Sequence, residues 1–173
     1  MKWSIQQLQA FRRDGLELDE TVDVSQVKEG DREIREVTPV HVKGTGSISK
    51  DLATFTLTIE GSMTLPCART LNDVDFPFVI EAIESFKLSE WATFDEEEED
   101  DVHEVEGNTV DLMPYVRERI LLEKPLRVFS DKPEGPAPES GSGWELQAEE
   151  QEAAKEKKVD PRLAKLKQLF DKE

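Results

Sequence analysis

From Asp51 to Leu65 the chain alternates between apolar and polar positions. Ala53, Phe55, Leu57, Ile59, Met63 and Leu65 are apolar with Gly61 among them, and Thr54, Thr56, Thr58, Glu60, Ser62 and Thr64 are polar. A period of two puts the first set on a dry face and the second on a wet one, so the stretch predicts a long β-strand. At ~3.3 Å per residue it would span roughly 45 Å, which argues for a bend or bulge near Gly61. Leu16 to Val24 reads as a further strand with Leu18, Val22 and Val24 in phase, and Val40 to Ile48 as another. Ser25 to Asp31 is polar and turn-like, and Ser49-Lys50-Asp51 suits a hairpin turn. After Asn72-Asp73, Val74, Phe76, Phe78, Ile80, Ala82, Phe86 and Leu88 share one phase. Pro77 lies inside that run and cannot donate to a ladder, so this part of the strand is expected at an edge or bulge. Val102 to Val105 and Leu126 to Phe129 read as short strands.

Helical periodicity occurs twice in the body of the chain. Trp3-Ser4-Ile5-Gln6-Gln7-Leu8 carries a capping box, with Ser4 as N-cap, Gln7 three residues later, and Trp3 and Leu8 as the flanking staple. The helix predicted from it runs Ser4 to Arg13 and stops at Gly15. A second runs Asp111 to Lys124, with Asp111 as N-cap, Pro114 in the first turn and Pro125 forbidding continuation. Leu112, Val116 and Ile120 form its apolar stripe. Arg119 falls inside that stripe and Leu121 outside it, so contacts on more than one side are expected. For Arg119 three readings stand: pairing with a buried acid, snorkelling to the edge, or facing a partner. The fold class implied is α+β, an antiparallel β-meander curling toward a barrel, covered by the N-terminal and central helices, with a flexible C-terminal extension.

Composition divides the chain further. The net charge is −17 over 173 residues, yet no Lys or Arg lies between Lys87 and Arg117, where 11 acids fall. Removing those 11 leaves −6 for the rest, so most of the acidity belongs to one segment. Its run Asp95 to Asp101 is all acidic and predicts a disordered loop over about 90–105 within a single domain spanning 1–131. The Pro- and Gly-rich stretch after Asp131 predicts a flexible linker over 132–158. Asp160-Pro161 then opens a short amphipathic helix over 159–173, lined by Leu163, Leu166 and Phe170. A single cysteine fits a reducing compartment, and the start lacks the apolar region of a secretory signal. With no stretch near the ~20 apolar residues of a membrane span, the expected location is cytoplasmic.

The sequence offers little that resembles catalytic machinery. Cys67 and His41 are the candidate nucleophile and base, against the plainer reading of a small thiol packed in a turn. One cysteine and two distant histidines, His41 and His103, do not make a zinc site, and no phosphate-binding glycine loop is present. No enzyme activity, cofactor, metal or small-molecule substrate is expected. The basic residues are scattered, with Arg12 beside Arg13, Arg32 near Arg35, Arg69 alone, and Arg117 near Arg119. Most read as solvated or salt-bridged surface groups, while Arg69, Arg117 and Arg119 are the candidates for a docking surface.

The order of these features carries a resemblance. A meander leads to Leu65-Pro66-Cys67-Ala68-Arg69-Thr70-Leu71, then a phenylalanine-rich strand and an acidic loop. Val110-Asp111-Leu112-Met113-Pro114-Tyr115-Val116-Arg117-Glu118-Arg119-Ile120-Leu121-Leu122-Glu123-Lys124-Pro125-Leu126 and a late Asp160-Pro161-Arg162-Leu163 follow. This resembles the YceD family, the large ribosomal RNA subunit accumulation proteins, in the form found in spore-forming Gram-positive bacteria. The resemblance implies a non-enzymatic cytosolic factor supporting accumulation of large-subunit (23S) ribosomal RNA. Its implied partner is that RNA or a ribosomal protein precursor complex, and the alternative role is an acidic escort for a basic ribosomal protein. The family-motif positions would be Cys67, Arg69, Asp111, Leu112, Glu118, Ile120, Leu122 and Pro125. Many members of the family carry further cysteines beside the first or after the helix's proline, where this chain has Arg69-Thr70 and Phe129-Ser130.

Overall fold

A computed structural model describes residues 1–89, 102–105, 107–138 and 140–145. The acidic run 95–101, most of the expected linker and the expected helix over 159–173 lie outside the described residues. Met1–Pro136 forms one compact unit, five residues longer than the domain expected from the sequence. A second unit begins at Ala137 and contributes a small hairpin of β9 (Ser140–Gly141) and β10 (Trp144–Glu145).

The first unit is built on one hairpin. β5 (Leu52–Pro66) and β6 (Asp73–Lys87) pair antiparallel along 15 residues each, from Leu52 opposite Lys87 to Pro66 opposite Asp73. That register holds without a break, so the expected irregularity near Gly61 is absent from this ladder. It lies instead across β5, where β3 (Glu36–Val37) meets Met63 and Thr64 one residue out of step with β4 (Val40–Ile48). The extra residue falls at Thr38-Pro39, and the Thr38 hydroxyl bonds both ways with the Ser62 backbone. Gly61 serves close packing: a Cβ there would stand 2.7 Å from Val40 and 2.9 Å from Phe78.

β2 (Leu16–Val22) pairs with β4, giving the order β2-β4-β5-β6-β7 with β3 beside β5. Among the described residues the sheet is open and does not close toward a barrel. β7 (Val102–Glu104) joins β6 in parallel, the exception in an otherwise antiparallel sheet. Among the described residues it covers β6 from Ser85 to Lys87, and Pro77 sits in the stretch with one strand neighbour, as expected for an edge. The inward faces of β5 and β6 are buried around Phe55, Leu57, Ile59, Met63 and Phe86, with Val74 and Phe76 half-buried toward the turn.

Among the described residues three helices accompany the sheet. α1 (Ile5–Ala10) is closed by the expected capping box: the Gln7 N–H donates to Ser4 Oγ at 3.2 Å and the Ser4 N–H to Gln7 Oε1 at 2.8 Å. The helix is shorter than expected at its C-terminal end, and Gly15 at φ +74° follows the turn. Just before α1, β1 (Lys2–Ser4) pairs with β8 (Thr109–Asp111), a two-stranded sheet with no periodicity long enough to read in sequence. α2 (Val27–Gly30) replaces the expected turn because Val24 and Val27 reach the core. α3 (Met113–Glu123) buries Val116 and Ile120, and its Leu121 packs at Gly30 of α2. The N-cap is Leu112 rather than Asp111, whose carboxylate still accepts the Met113 N–H at 3.0 Å. Leu126 to Phe129 is not a strand. Its backbone makes a single bond to the sheet side, from the Ala68 N–H to the Val128 carbonyl at 2.9 Å.

Candidate functional site

Cys67 opens the turn that joins β5 to β6, and it is fully buried. The Cys67 N–H donates to the Asn72 carbonyl and the Leu71 N–H to the Cys67 carbonyl, which closes the turn on itself. Three backbone N–H groups point at the sulfur: Arg69 and Thr70 at 3.4 Å and Ser130 at 3.3 Å. Burial pushes the thiol up, but the Thr70 side chain and these three N–H groups outweigh it and hold Cys67 at about 6. His41 is not its partner. The imidazole bonds to Asp19 at 2.6 Å on the outer face of the sheet, so no Cys–His pair forms. Nor do three His, Cys, Asp or Glu side chains converge as metal ligands among the described residues.

The turn is strapped from outside by the chain that leaves α3. Besides Val128 and Ser130, the Glu134 carbonyl accepts from Asn72 Nδ2 at 2.7 Å. Gly135 lies so close to Thr70 that a Cβ would fall 2.2 Å from the Thr70 carbonyl oxygen. On the outer surface the Arg69 guanidinium lies over the Phe129 ring, 5.5 Å from its centroid. Leu71 holds a left-handed backbone at φ +60°. Leu71, Leu126, Arg127, Pro125 and Cys67 border a hollow of about 150 Å³.

The other expected site residues divide by role. Leu112 and Ile120 are fully buried core residues, and Asp111 pairs with Lys2 at 3.9 Å while bonding the start of α3. Glu118 and Leu122 are exposed on α3, and Pro125 ends the helix beside the Cys67 turn. Lys124, the last residue before it, is clasped by Asp31 and Glu33. Burial alone would lower Lys124, yet the two carboxylates raise it, and the Lys124 hydrogen bond lowers Asp31.

Arg119 takes the first of its three readings. Its Nε donates at 2.6 Å to Glu84, which is 2% exposed, and that bond holds the guanidinium above its ordinary value. His103 Nε2 meets the other Glu84 oxygen at 2.7 Å, and its ring packs 4.1 Å from Tyr115. Glu84 is the residue that sequence reasoning missed. It occupies the apolar phase of β6 between Ala82 and Phe86, so a carboxylate on the dry face was a legible signal of a buried ion pair. Arg117 donates its Nε to the Met113 carbonyl at 3.2 Å. The three arginines have different partners: Arg69 lies over Phe129, Arg117 bonds within its own helix, and Arg119 bonds Glu84.

The fold and site define an α+β protein whose long hairpin ends in a buried, strapped cysteine turn. The chain belongs to the YceD family: the profile described as "Large ribosomal RNA subunit accumulation protein YceD" matches residues 55–170. It is 42% identical over 172 residues to "Uncharacterized protein YlbN" of Bacillus subtilis (strain 168), covering 98% of this chain and 96% of that one. No solved structure matches. The family's name implies a role in accumulation of the large ribosomal RNA subunit, and the family is not a known enzyme family. No described helix is long and apolar enough to cross a membrane.

Proposed function

We propose that this protein is a non-enzymatic, cytoplasmic ribosome-assembly factor that supports accumulation of 23S ribosomal RNA by docking on a large-subunit precursor. Membership of the family carries the reading. The Cys67 turn supports it in that the sulfur is fully buried and each histidine is bonded to a carboxylate rather than to the thiol. Arg69 and Arg117 are the docking candidates. Arg119 contributes through its bond to Glu84.

Sedimentation of the tagged protein through a gradient tests this. The protein is expected in fractions of large-subunit precursors, with 23S ribosomal RNA falling on its depletion. A protein that stays at the top of the gradient under every condition would refute the reading. The run Asp95 to Asp101 favours a second role, an acidic escort for a basic ribosomal protein. Deleting 95–101 separates the two, since an escort fails without the run and a factor docking through its folded surface persists.

A further inference from the structure

We propose that the outer surface of the Cys67 turn is a platform for an unpaired stretch of RNA. One base stacks at Phe129 beside Arg69, and the adjoining phosphates meet Arg69 and Arg127. The inference rests on the reading of the protein as a ribosomal RNA factor and assigns that role a site.

Phe129 is 56% exposed, although the residues on either side of it are tethered. Val128 accepts the Ala68 N–H through its carbonyl, and the Ser130 N–H donates to Cys67 Sγ. The ring is therefore held outward by its neighbours rather than left there by a frayed chain. Aromatic rings and guanidinium planes are the two side-chain surfaces on which unpaired bases stack, and here one lies over the other. Leu126 is fully exposed, and Leu71 is 41% exposed in a backbone conformation that leucine adopts only at a cost. Leu71 and Leu126 border the same hollow, so their exposed apolar groups lie together at this turn.

Charge narrows the occupant. Arg35, Arg119, Lys124 and Lys2 each have a carboxylate partner. Among the described residues Arg69 and Arg127 have none, which is equally true of Arg12, Arg13, Arg32 and Arg117, but these two lie on the Cys67 turn and its strap beside Phe129, where their charge can meet an anion brought from outside. Asp131 and Glu134, exposed in the same strap, keep the surface from being uniformly basic. That mixture suits a strand held by stacking more than a duplex held by its two phosphate rows. The hollow beneath, at about 150 Å³, is smaller than the sites that enclose small ligands. The occupant therefore passes over the surface and is not swallowed by it.

The test is fluorescence anisotropy of the full chain with labelled single-stranded RNA of about 12 nucleotides, oligouridine and mixed sequence, and with the same mixed strand annealed to its complement. The single strand should bind more tightly than the duplex. Phe129→Leu should weaken that binding by roughly five- to a hundredfold, the range of one lost stack, while Phe129→Tyr retains it. Arg127→Gln should weaken it and flatten its salt dependence. Circular dichroism checks that each variant is folded. Equal binding of strand and duplex, no binding by the parent, or unchanged binding by Phe129→Leu would overturn the proposal. If no RNA binds but Phe129→Leu abolishes co-sedimentation with precursor particles, the platform receives a ribosomal protein, and the function reading survives without this one. If the parent itself fails to co-sediment, the function reading falls whatever the oligonucleotides do.

Discussion

The two ends of the β5–β6 hairpin handle charge in opposite ways. At the open end, near Leu52 and Lys87, the buried carboxylate of Glu84 draws Arg119 from α3 and His103 from β7 onto one point. At the turn end, Arg69 and Arg127 stand on the surface without carboxylate partners among the described residues, above a sulfur that takes three backbone N–H groups. A charge facing the dry side of a sheet must be answered inside the protein, because burial without a partner is costly. A charge on a turn surface has no such obligation. Arg119 and Arg69 therefore look alike in sequence, while one is bound to a buried carboxylate and the other lies on the surface over Phe129.

The largest expected effect is at the open end. Arg119→Ala leaves Glu84 buried with His103 alone and should lower unfolding stability by roughly 3 kcal/mol in urea titrations. Replacing both Glu84 and Arg119 by Leu should recover most of that loss. A loss within experimental error would mean that the pair is not what docks α3 on β6.

At the turn end the strap is the sensitive part. Gly135→Ala places a Cβ against the Thr70 carbonyl and should cost about 2 kcal/mol. It should also open Cys67 to a thiol reagent that scarcely labels the parent. Labelling as slow as in the parent would show that residues 128–135 do not protect the turn.

Cys67 gives a smaller effect with a distinctive pH dependence. The folded protein holds the thiol at about 6, below its unfolded value, so the folded state binds fewer protons across that interval. The stabilisation is fully present above the unfolded value near 9 and is lost as pH falls through about 6. The stability difference between the parent and Cys67→Ser should therefore grow from pH 6 to pH 9, and a flat difference would contradict the hydrogen-bonded thiolate.

The smallest effect belongs to the surface arginines. Arg69→Ala and Arg127→Ala should each change stability by no more than about 0.5 kcal/mol, in contrast with Arg119→Ala. A loss at Arg69 as large as that at Arg119 would erase the distinction between the two ends.

Much of this architecture was legible in the chain by itself. The alternation from Ala53 to Leu65 and from Val74 to Leu88 set both long strands and their dry faces, since a period of two allows one burial solution. The capping box at Ser4 and Pro125 after Lys124 marked helix limits through local chemistry. Cys67 and Arg69 stood out as a motif. Elements that tertiary contact stabilises were less legible: β1 with β8 and β3 across the Thr38-Pro39 step have too few residues to show a period, and although Val102 to Val105 read as a short strand, its parallel pairing with β6 did not show. Their hydrogen bonds exist only because distant segments supply the partners.

The division at the site has the same cause. Residue types alone placed Arg69, Arg117 and Arg119 together, because sequence records which charges exist and not which are answered. Only the folded chain brought Glu84 beneath Arg119, and Ser130 and Gly135 against a turn more than 60 residues earlier. Local periodicity determined the strands because each residue's burial follows from its neighbours in the chain. The pairing of charges depends on groups that meet only when the core closes, and that was decided by the tertiary structure.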